Sequence, residues 1–154
     1  MSIQAIKMNI TIRKANQQDF PTILSLIKEF AIFQKTPEKV TITLEQMIAS
    51  KNLFQCFIAE TSSKEIAGFA SFYFVYNSWS GKGLYLDDLY VKNAFRKQGA
   101  GKLLLEAILQ LAKDEHCKKL RWQVSKWNAN ALDFYKSMGA VMDDTEINCD
   151  LLMQ

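Results

Sequence analysis

The stretch "FRKQGAG", residues 95–101, joins two segments with different patterns. The preceding "GLYLDDLYVKN" (83–93) has the aromatic and apolar content of a strand, and the following "KLLLEAILQLAKDE" (102–115) repeats its apolar residues at helical spacing. The joining turn carries two glycines one residue apart, just after the cations Arg96 and Lys97. Such a turn either gives the connection conformational flexibility or binds an anion.

The segments on either side supply the other elements of a sheet with helices. We predict strands at 8–13, 54–60, 66–77, 84–91, 119–124 and 147–153, and helices at 16–34, 43–50, 101–116 and 128–138. Strands and helices then follow in the order β-α-α-β-β-β-α-β-α-β. The sequence predicts an α+β fold with a mixed sheet, as a single domain over residues 1–154.

Composition excludes several functional classes. A net charge of +3 is too small and too scattered to favour nucleic acid. The three cysteines include no CxxC pair, which favours free, mostly buried thiols in a reducing compartment, and a lone histidine, His116, argues against a metal site. No apolar run approaches the ~20 residues that span a bilayer. We expect a soluble cytoplasmic protein with no membrane or nucleic-acid partner.

Two familiar phosphate-binding patterns fail at this turn. A Walker loop has glycine where this chain has Arg96, and a serine or threonine where it has Leu103. A dinucleotide-binding fingerprint requires a third glycine where Leu104 stands. The pattern that remains is R-x-x-G-x-G over residues 96–101, between a strand and a helix.

This arrangement suits a pyrophosphate. Glycine lacks a Cβ atom, so the backbone can approach an anion closely. The first amides of the helix have no intrahelical partner, and the helix dipole adds partial positive charge there. Arg96, Lys97 and Lys102 add full charges. On these residues alone, an ordinary glycine-containing turn remains an alternative.

Downstream motifs give the turn a context. The stretches "FYFVYNSWSGKGLYLDDLYV" (72–91) and "WNANALDFYKSMGA" (127–140), with the turn between them, resemble the GNAT superfamily of acetyl-CoA-dependent N-acyltransferases. With "LIKEFAIFQK" (26–35), they are most similar to its diamine acetyltransferase branch, which includes spermidine/spermine and thialysine acetyltransferases. The resemblance implies a mostly antiparallel twisted sheet with helices on both faces.

The resemblance also implies an acetyl-CoA site. The strand before the turn would lend backbone groups to the pantetheine arm, the turn would wrap the pyrophosphate, and the start of the last helix would line the far side of the donor. These candidate residues are Leu89, Tyr90, Val91, Arg96, Lys97, Gln98, Gly99, Ala100, Gly101, Lys102, Asn128, Asn130 and Ala131.

Three residues are candidates for proton handling and amine binding. Tyr135 occupies the position of the family's tyrosine beside the thioester sulfur, where its hydroxyl would protonate the departing thiolate. The alternative is a packed aromatic residue. Asp87 would draw in the cationic amine and relay its proton through water, with Asp88 beside it. Strand alternation sends neighbouring side chains to opposite faces, so both can serve one pocket only if a bulge intervenes. A solvated strand edge is the alternative.

The acceptor is the least determined feature of the sequence. Polyamine acetyltransferases of the family carry Tyr-Glu where this chain has Phe33-Gln34, and losing that carboxylate weakens the attraction for a distal ammonium group. Trp79 would wall the amine pocket, or else anchor its own loop. We expect direct transfer from acetyl-CoA to the primary amine of a diamine, polyamine or lysine-like amino acid, with a homodimer possible. A non-catalytic CoA sensor and a protein or peptide acetyltransferase are the alternatives.

Overall fold

A computed structural model describes residues 9–153. Within these residues, five strands and four α-helices follow one another in the order β1, α1, α2, β2, β3, β4, α3, β5, α4. Their bounds are β1 Ile10–Lys14, α1 Phe20–Phe33, α2 Leu44–Ala49, β2 Gln55–Thr61, β3 Ile66–Asn77, β4 Gly81–Val91, α3 Ala100–Asp114, β5 Leu120–Arg121 and α4 Ala129–Ser137.

The strands form one mixed sheet in the order β1-β2-β3-β4-β5. The first four strands pair antiparallel, and β5 alone pairs parallel, through Leu84 with Leu120 and Tyr85 with Arg121. The predicted α+β class and the mostly antiparallel sheet are confirmed. The parallel pairing of β5 fits its connection to β4 through a helix, because a tight hairpin cannot join parallel strands.

Helices cover both faces of the sheet. On one face, called the α1 face here, α1 packs in a core that contains Ile58 of β2, Phe69 of β3 and Tyr90 of β4. Their neighbours Ala59 and Ala70 are also fully buried, and strand alternation turns them to the opposite face. Helix α3 contacts β1, β2, β3 and β4 there, so we call it the α3 face.

Local sequence signals set several helix ends as predicted. Thr43 and Gln46 form the capping box that begins α2, with the Gln46 N–H donating to Thr43 Oγ1 and the Thr43 N–H donating to Gln46 Oε1. Pro21 lies in the first turn of α1, where its missing N–H has no cost. Gly139 follows α4 with φ +86°, the left-handed conformation expected of a C-terminal glycine.

One strand prediction was wrong, and another was correct in position but too long. The segment 147–153 forms no strand, and its apolar residues Ile147, Leu151, Leu152 and Met153 are at least 80% exposed. The segment 119–124 is a strand only over Leu120–Arg121. A strand requires a ladder partner as well as a suitable composition, and neither segment finds one along its length. Met8 of the first predicted strand lies outside the described residues.

The chain divides into two compact units, one ending at Trp122 and one beginning at Gln123. The first holds the sheet with α1, α2 and α3. The second holds α4, and its own contacts include a hydrogen bond from Gln123 Nε2 to Asn148 Oδ1 (2.9 Å) and an ion pair between Lys126 and Asp144 (3.1 Å). No helix between residues 9 and 153 has the length and apolar character needed to span a membrane.

Candidate active site

A β-bulge interrupts β4 at the acidic pair. Ser71 of β3 pairs with Asp88, but the next residue, Phe72, pairs with Leu86, so Asp87 is the extra residue in β4. A bulge sets two residues of one strand against one residue of its partner and bends that strand locally. The sequence condition for using both carboxylates together, a bulge between them, is therefore met.

The register assigns each side chain to a face. Leu86 and Leu89 pair with Phe72 and Ala70, both of which belong to the α3 face. Asp88 pairs with Ser71, which lies on the α1 face beyond Phe69. The bulge places Asp87 beside Asp88 instead of opposite it, and the Asp88 N–H donates to Ser71 Oγ at 3.2 Å.

Both carboxylates of the bulge have raised pKa values. Burial, and secondarily the charge of Asp87, raises the pKa of Asp88 to about 6. Partial withdrawal from water raises the pKa of Asp87, although its side chain remains exposed. Neither carboxylate forms an ion pair with a lysine or arginine of residues 9–122. Two uncompensated acids on one face attract a cation.

Two tyrosines lie beside the acids and were missed in the sequence. Tyr73 of β3 pairs with Tyr85 of β4, and their rings stack with centroids 5.0 Å apart. The pKa of Tyr73 is raised by burial and then by Asp87, and that of Tyr85 is raised by burial, Tyr73 and Asp87. The rings therefore share the α1 face with the acids. The sequence could have indicated that Tyr73 and Tyr85 face each other in a hairpin, but only if the register of β3 and β4 were already known.

The outer edge of β4 is open next to the bulge. Strand β5 pairs with Leu84 and Tyr85 only, so from Leu86 to Val91 that edge has no ladder partner within residues 9–122. Unpaired strand amides and carbonyls can bind another extended chain. The segment includes Leu89, Tyr90 and Val91, the residues predicted to contact pantetheine. The side chain of Tyr90 itself is buried on the α1 face, 8% exposed.

The glycine turn leaves room for an anion. Two of its residues have positive φ angles, Lys97 at 62° and Gly99 at 87°, and α3 begins at Ala100 without a side-chain cap. A Cβ atom at Gly99 would meet nothing within 4 Å, and at Gly101 the nearest atom would be Val91 Cγ2 at 3.8 Å. Lys97, Gln98 and Lys102 are exposed around the open helix start. This arrangement fits the predicted pyrophosphate cradle.

Arg96 is turned toward the protein and away from this opening. Its Nε donates to the carbonyl of Val91 at 2.9 Å, and its guanidinium carbon lies 4.7 Å from the Phe33 ring centroid and 5.6 Å from that of Tyr90. Cation–π contacts of this kind hold a guanidinium in place. Arg96 therefore connects the turn to the end of β4 and to α1.

The predicted acceptor residues of α1 lie near this connection. Phe33 is the last residue of α1, is 37% exposed and contacts Arg96. Gln34 follows as the C-terminal cap, with its N–H donating to the carbonyl of Phe30 at 2.8 Å. The structure thus places both residues at the C-terminal end of α1, beside the residue that fixes the glycine turn.

Trp79 lies at the tip of the β3–β4 hairpin and is fully exposed. From Gly81 to Asp87 the strand advances about 20 Å at the usual rise per residue. One small acceptor cannot span that distance, so within one chain Trp79 does not wall a pocket at the bulge. Because its side chain is fully exposed, Trp79 does not anchor its own loop either.

The second unit contains the remaining predicted residues. Asn128 caps α4, with its side chain accepting the N–H of Ala131 at 3.2 Å, and Asn130 is exposed in the first turn. Tyr135 is 8% exposed, its ring centroid is 5.4 Å from that of Phe134, and burial raises its pKa to about 12. Its hydroxyl therefore carries its proton at neutral pH.

No group of three His, Cys, Asp or Glu side chains in the described part of the chain could hold a metal ion. Cys56 is buried, and desolvation raises the pKa of its thiol, which makes it a poor nucleophile. The chemistry available on the sheet is that of carboxylates, phenols and backbone amides.

Comparison with known proteins agrees with this arrangement. Residues 18–140 match the acetyltransferase (GNAT) family. Thialysine N-epsilon-acetyltransferase of Bos taurus is 34% identical over 142 residues, which cover 85% of this chain and 84% of the relative. Spermidine/spermine N(1)-acetyltransferase-like protein 1 of Homo sapiens is 36% identical over 140 residues, 84% of this chain and 20% of that protein.

The solved structures show the same fold. An aminoglycoside N-acetyltransferase in complex with CoA superposes with a TM-score of 0.77 at 16% identity, covering 98% of this chain and 99% of the other. The chain belongs to the GNAT acetyltransferase family and is an N-acetyltransferase.

Proposed function

We propose that this enzyme transfers the acetyl group of acetyl-CoA directly to the primary amine of a small cationic acceptor. The observation that carries the proposal is the bulge at Asp87, which gathers two uncompensated carboxylates on the α1 face beside the open edge of β4. A lysine-like amino acid, a diamine and a polyamine all satisfy this requirement for a cation. The whole chain, residues 1–154, is proposed to act as one N-acetyltransferase domain.

The donor would lie along the open strand edge and the glycine turn. Backbone groups of Leu89, Tyr90 and Val91 would bind the pantetheine arm as an added strand binds a sheet edge. The amides of residues 98–102, together with Lys97 and Lys102, would hold the pyrophosphate. Asn128, Asn130 and Ala131 would line the far side of the donor, as the family resemblance implies. Arg96 would act as a positioning residue, because its side chain is already engaged.

The reaction requires that the acceptor nitrogen lose two protons and that the departing thiolate gain one. The ammonium group of the acceptor loses a proton through water to Asp87, and the free amine attacks the thioester carbonyl carbon. The C–N bond forms as the C–S bond breaks, and the departing thiolate receives a proton from the Tyr135 hydroxyl. The nitrogen, cationic after the attack, gives up its second proton through water, and this proton restores the Tyr135 hydroxyl. Both substrates bind together and the amine attacks acetyl-CoA directly, without an acyl-enzyme; the buried Cys56, whose thiol has a raised pKa, is a poor nucleophile.

The pKa of Tyr135 sets a condition on its proton donation to the thiolate. A phenol with a pKa of about 12 is a weaker acid than a free thiol near 8.5, so donation to a solvated thiolate is uphill by roughly 5 kcal/mol. Donation becomes favourable only when the thiolate is also removed from water, which raises its basicity. Burial of Tyr135 thus keeps the proton in place until the C–S bond breaks.

The test combines an acceptor screen with one variant. Diamines, polyamines, lysine analogues and peptide amino termini are assayed for acetylation by the purified full chain. We expect Tyr135→Phe to lower kcat by about 10²–10³-fold while the affinity for acetyl-CoA changes less than about threefold. The matched control is Tyr76→Phe, because Tyr76 is 83% exposed on β3.

Unchanged turnover in Tyr135→Phe would remove its acid role. Acetylation of peptides alone would move the acceptor class from small cations to proteins, and tight CoA binding with no transfer would contradict an acetyltransferase of small amines. The homodimer and the cytoplasmic location stay predictions, checked by analytical ultracentrifugation and by fractionation of cells.

A further inference from the structure

A cavity of about 170 Å³ lies on the sheet next to the acidic bulge. Its lining residues are Val75, Asn77, Leu84, Tyr85, Lys119 and Arg121, drawn from β3, β4 and the β5 segment. Asp87 follows Tyr85 by two residues, about 7 Å along the strand. Tyr85, which lines the cavity, is thus about 7 Å along β4 from the first of the carboxylates that the proposed function assigns to the amine.

Arg121 brings a positive charge to this cavity. It pairs with Tyr85 across the parallel ladder, and paired residues of neighbouring strands project to the same face. Its side chain is exposed and forms no ion pair with a carboxylate of residues 9–122. The pKa of Tyr85 is raised by burial, Tyr73 and Asp87, whereas Arg121 acts on it in the opposite direction. The charges of both Asp87 and Arg121 are therefore near enough to act on the Tyr85 hydroxyl.

The positive charge of Arg121 and the negative charge of Asp87 lie on neighbouring strands. Strands are about 4.8 Å apart, and Asp87 is about 7 Å further along β4, so the Cα atoms of Arg121 and Asp87 are roughly 8 Å apart. A ligand that spans the two must carry an anion at one end and an amine at the other. A guanidinium binds a carboxylate through two parallel hydrogen bonds, which fixes its orientation.

We propose that Arg121, with Tyr85 beside it, is a specificity-determining residue that binds the carboxylate of an amino-acid acceptor while Asp87 and Asp88 receive the side-chain amine. This rests on the proposed function and narrows its acceptor class. The preferred acceptor is an amino acid that carries a second amine. A polyamine would place a further cation beside Arg121, where the like charges repel.

The test uses acceptors that differ only in the carboxylate. Initial rates with acetyl-CoA are measured for L-lysine against cadaverine and for L-ornithine against putrescine. The wild type is expected to prefer each amino acid over its decarboxylated counterpart by at least about tenfold in kcat/KM. Arg121→Gln should lower kcat/KM for the amino acids by about 10–100-fold, and leave that for the diamines unchanged or raised.

The control for loss of one positive charge is Lys113→Gln, an exposed position on α3 that is expected to keep the preference of the wild type. Equal losses for both members of each pair in Arg121→Gln would overturn the inference, as would a wild-type preference for the diamines. A higher KM for acetyl-CoA with an unchanged amino-acid preference would assign Arg121 to the donor and also overturn it.

A failure of the proposed function is separable from a failure of this subsite. If diamines are acetylated and amino acids are not, the acetyl transfer stands and the subsite is wrong. If no amine is acetylated, equilibrium binding of L-lysine measured by calorimetry decides the subsite. Binding that is lost in Arg121→Gln and kept in Lys113→Gln supports it, and absence of binding to the wild type overturns it.

Discussion

Two groups of carboxylates lie in the sheet unit, and their electrostatics are opposite. At the β1 edge, Arg13 donates two hydrogen bonds of 2.9 Å to Asp19 and further bonds of 2.8 and 3.1 Å to Glu60. The Arg13 guanidinium holds the pKa of both carboxyls below their usual values. In the β4 bulge, burial raises the pKa values of Asp87 and Asp88.

The difference separates a structural role from a functional one. Asp19 is 8% exposed, and its charge is balanced by Arg13 and by the N–H of Asn16, which donates to Oδ2 at 2.8 Å. Asp88 is half-buried, yet its carboxylate forms no ion pair with a lysine or arginine of residues 9–122, and its backbone N–H donates to Ser71 Oγ. An uncompensated charge that is partly withdrawn from water destabilises the folded protein. Its presence is therefore better explained by the binding of a cationic ligand than by a contribution to stability.

The largest expected effect is on the structural side. Asp19→Asn should lower the free energy of unfolding by about 2–3 kcal/mol, because Arg13 loses its bidentate bond to Asp19 and keeps only Glu60, and the Asn16 N–H loses a charged acceptor. Chemical denaturation at pH 7 measures the change, with Glu38→Gln as an exposed control. The pKa of Asp19 is lowered on folding, so its stabilisation is present above the unfolded pKa and declines as pH falls below it. A loss below half a kcal/mol would show that the group contributes little.

In the bulge, removing a carboxylate is expected to stabilise the protein instead of destabilising it. Asp88→Asn should raise the free energy of unfolding by about 1–2 kcal/mol at neutral pH, because asparagine removes a charge that burial disfavours. Because the folded pKa, about 6, exceeds the unfolded value near 4, the wild type loses stability as pH rises from about 4 to 6. The gain from the variant should therefore vanish below about pH 4.

The same variant should lower kcat/KM for a cationic acceptor, because one of the two attracting charges is lost. Equal or lower stability than the wild type at neutral pH, in matched denaturation curves, would mean that the Asp88 carboxylate is compensated. The comparison with Asp19 would then lose its basis.

The two groups also differ in how far the sequence could predict them. The glycine turn, α3 and the caps at Thr43 and Gly139 depend on residues a few positions apart, and these predictions were confirmed in the structure. The bulge depends on how β4 is aligned with Ser71 and Phe72 of a different strand, so the sequence could state only the condition for it.

The register of the strands and the choice of ladder partner also account for the other features that the sequence did not predict correctly. Residues 147–153 have the composition of a strand but no ladder partner, and Trp79 matches a family motif but lies at a hairpin tip about 20 Å along the strand from the acids. Tyr73 and Tyr85 were missed for the same reason, since each is an ordinary strand residue until the hairpin sets one against the other. Chemistry-bearing residue types were visible in the sequence, whereas their shared face was not.

The smallest expected effect tests the coupling between the two acids directly. In the wild type, kcat/KM for a cationic acceptor should rise with pH through about 6, as Asp88 loses its proton and the pair reaches its full negative charge. Burial is the larger cause of the raised pKa of Asp88 and the charge of Asp87 the smaller one. Asp87→Asn should lower the rate itself, because it removes the proposed proton acceptor, and it should move the acid limb of the remaining activity to lower pH by less than about one unit. Added salt should reduce this difference in pH between the two proteins.

Asp19→Asn is the matched control for this measurement, because it removes a carboxylate of the same sheet unit from the group that Arg13 balances. The acid limb of kcat/KM in Asp19→Asn should lie at the same pH as in the wild type. The assay temperature must be well below the melting temperature of this less stable variant. A limb at the same pH in Asp87→Asn would show that the acids titrate independently, and the bulge would then place two separate carboxylates on the α1 face. A limb that moves in Asp19→Asn would mean that charge at the β1 edge reaches the site, which would contradict the division between the two groups.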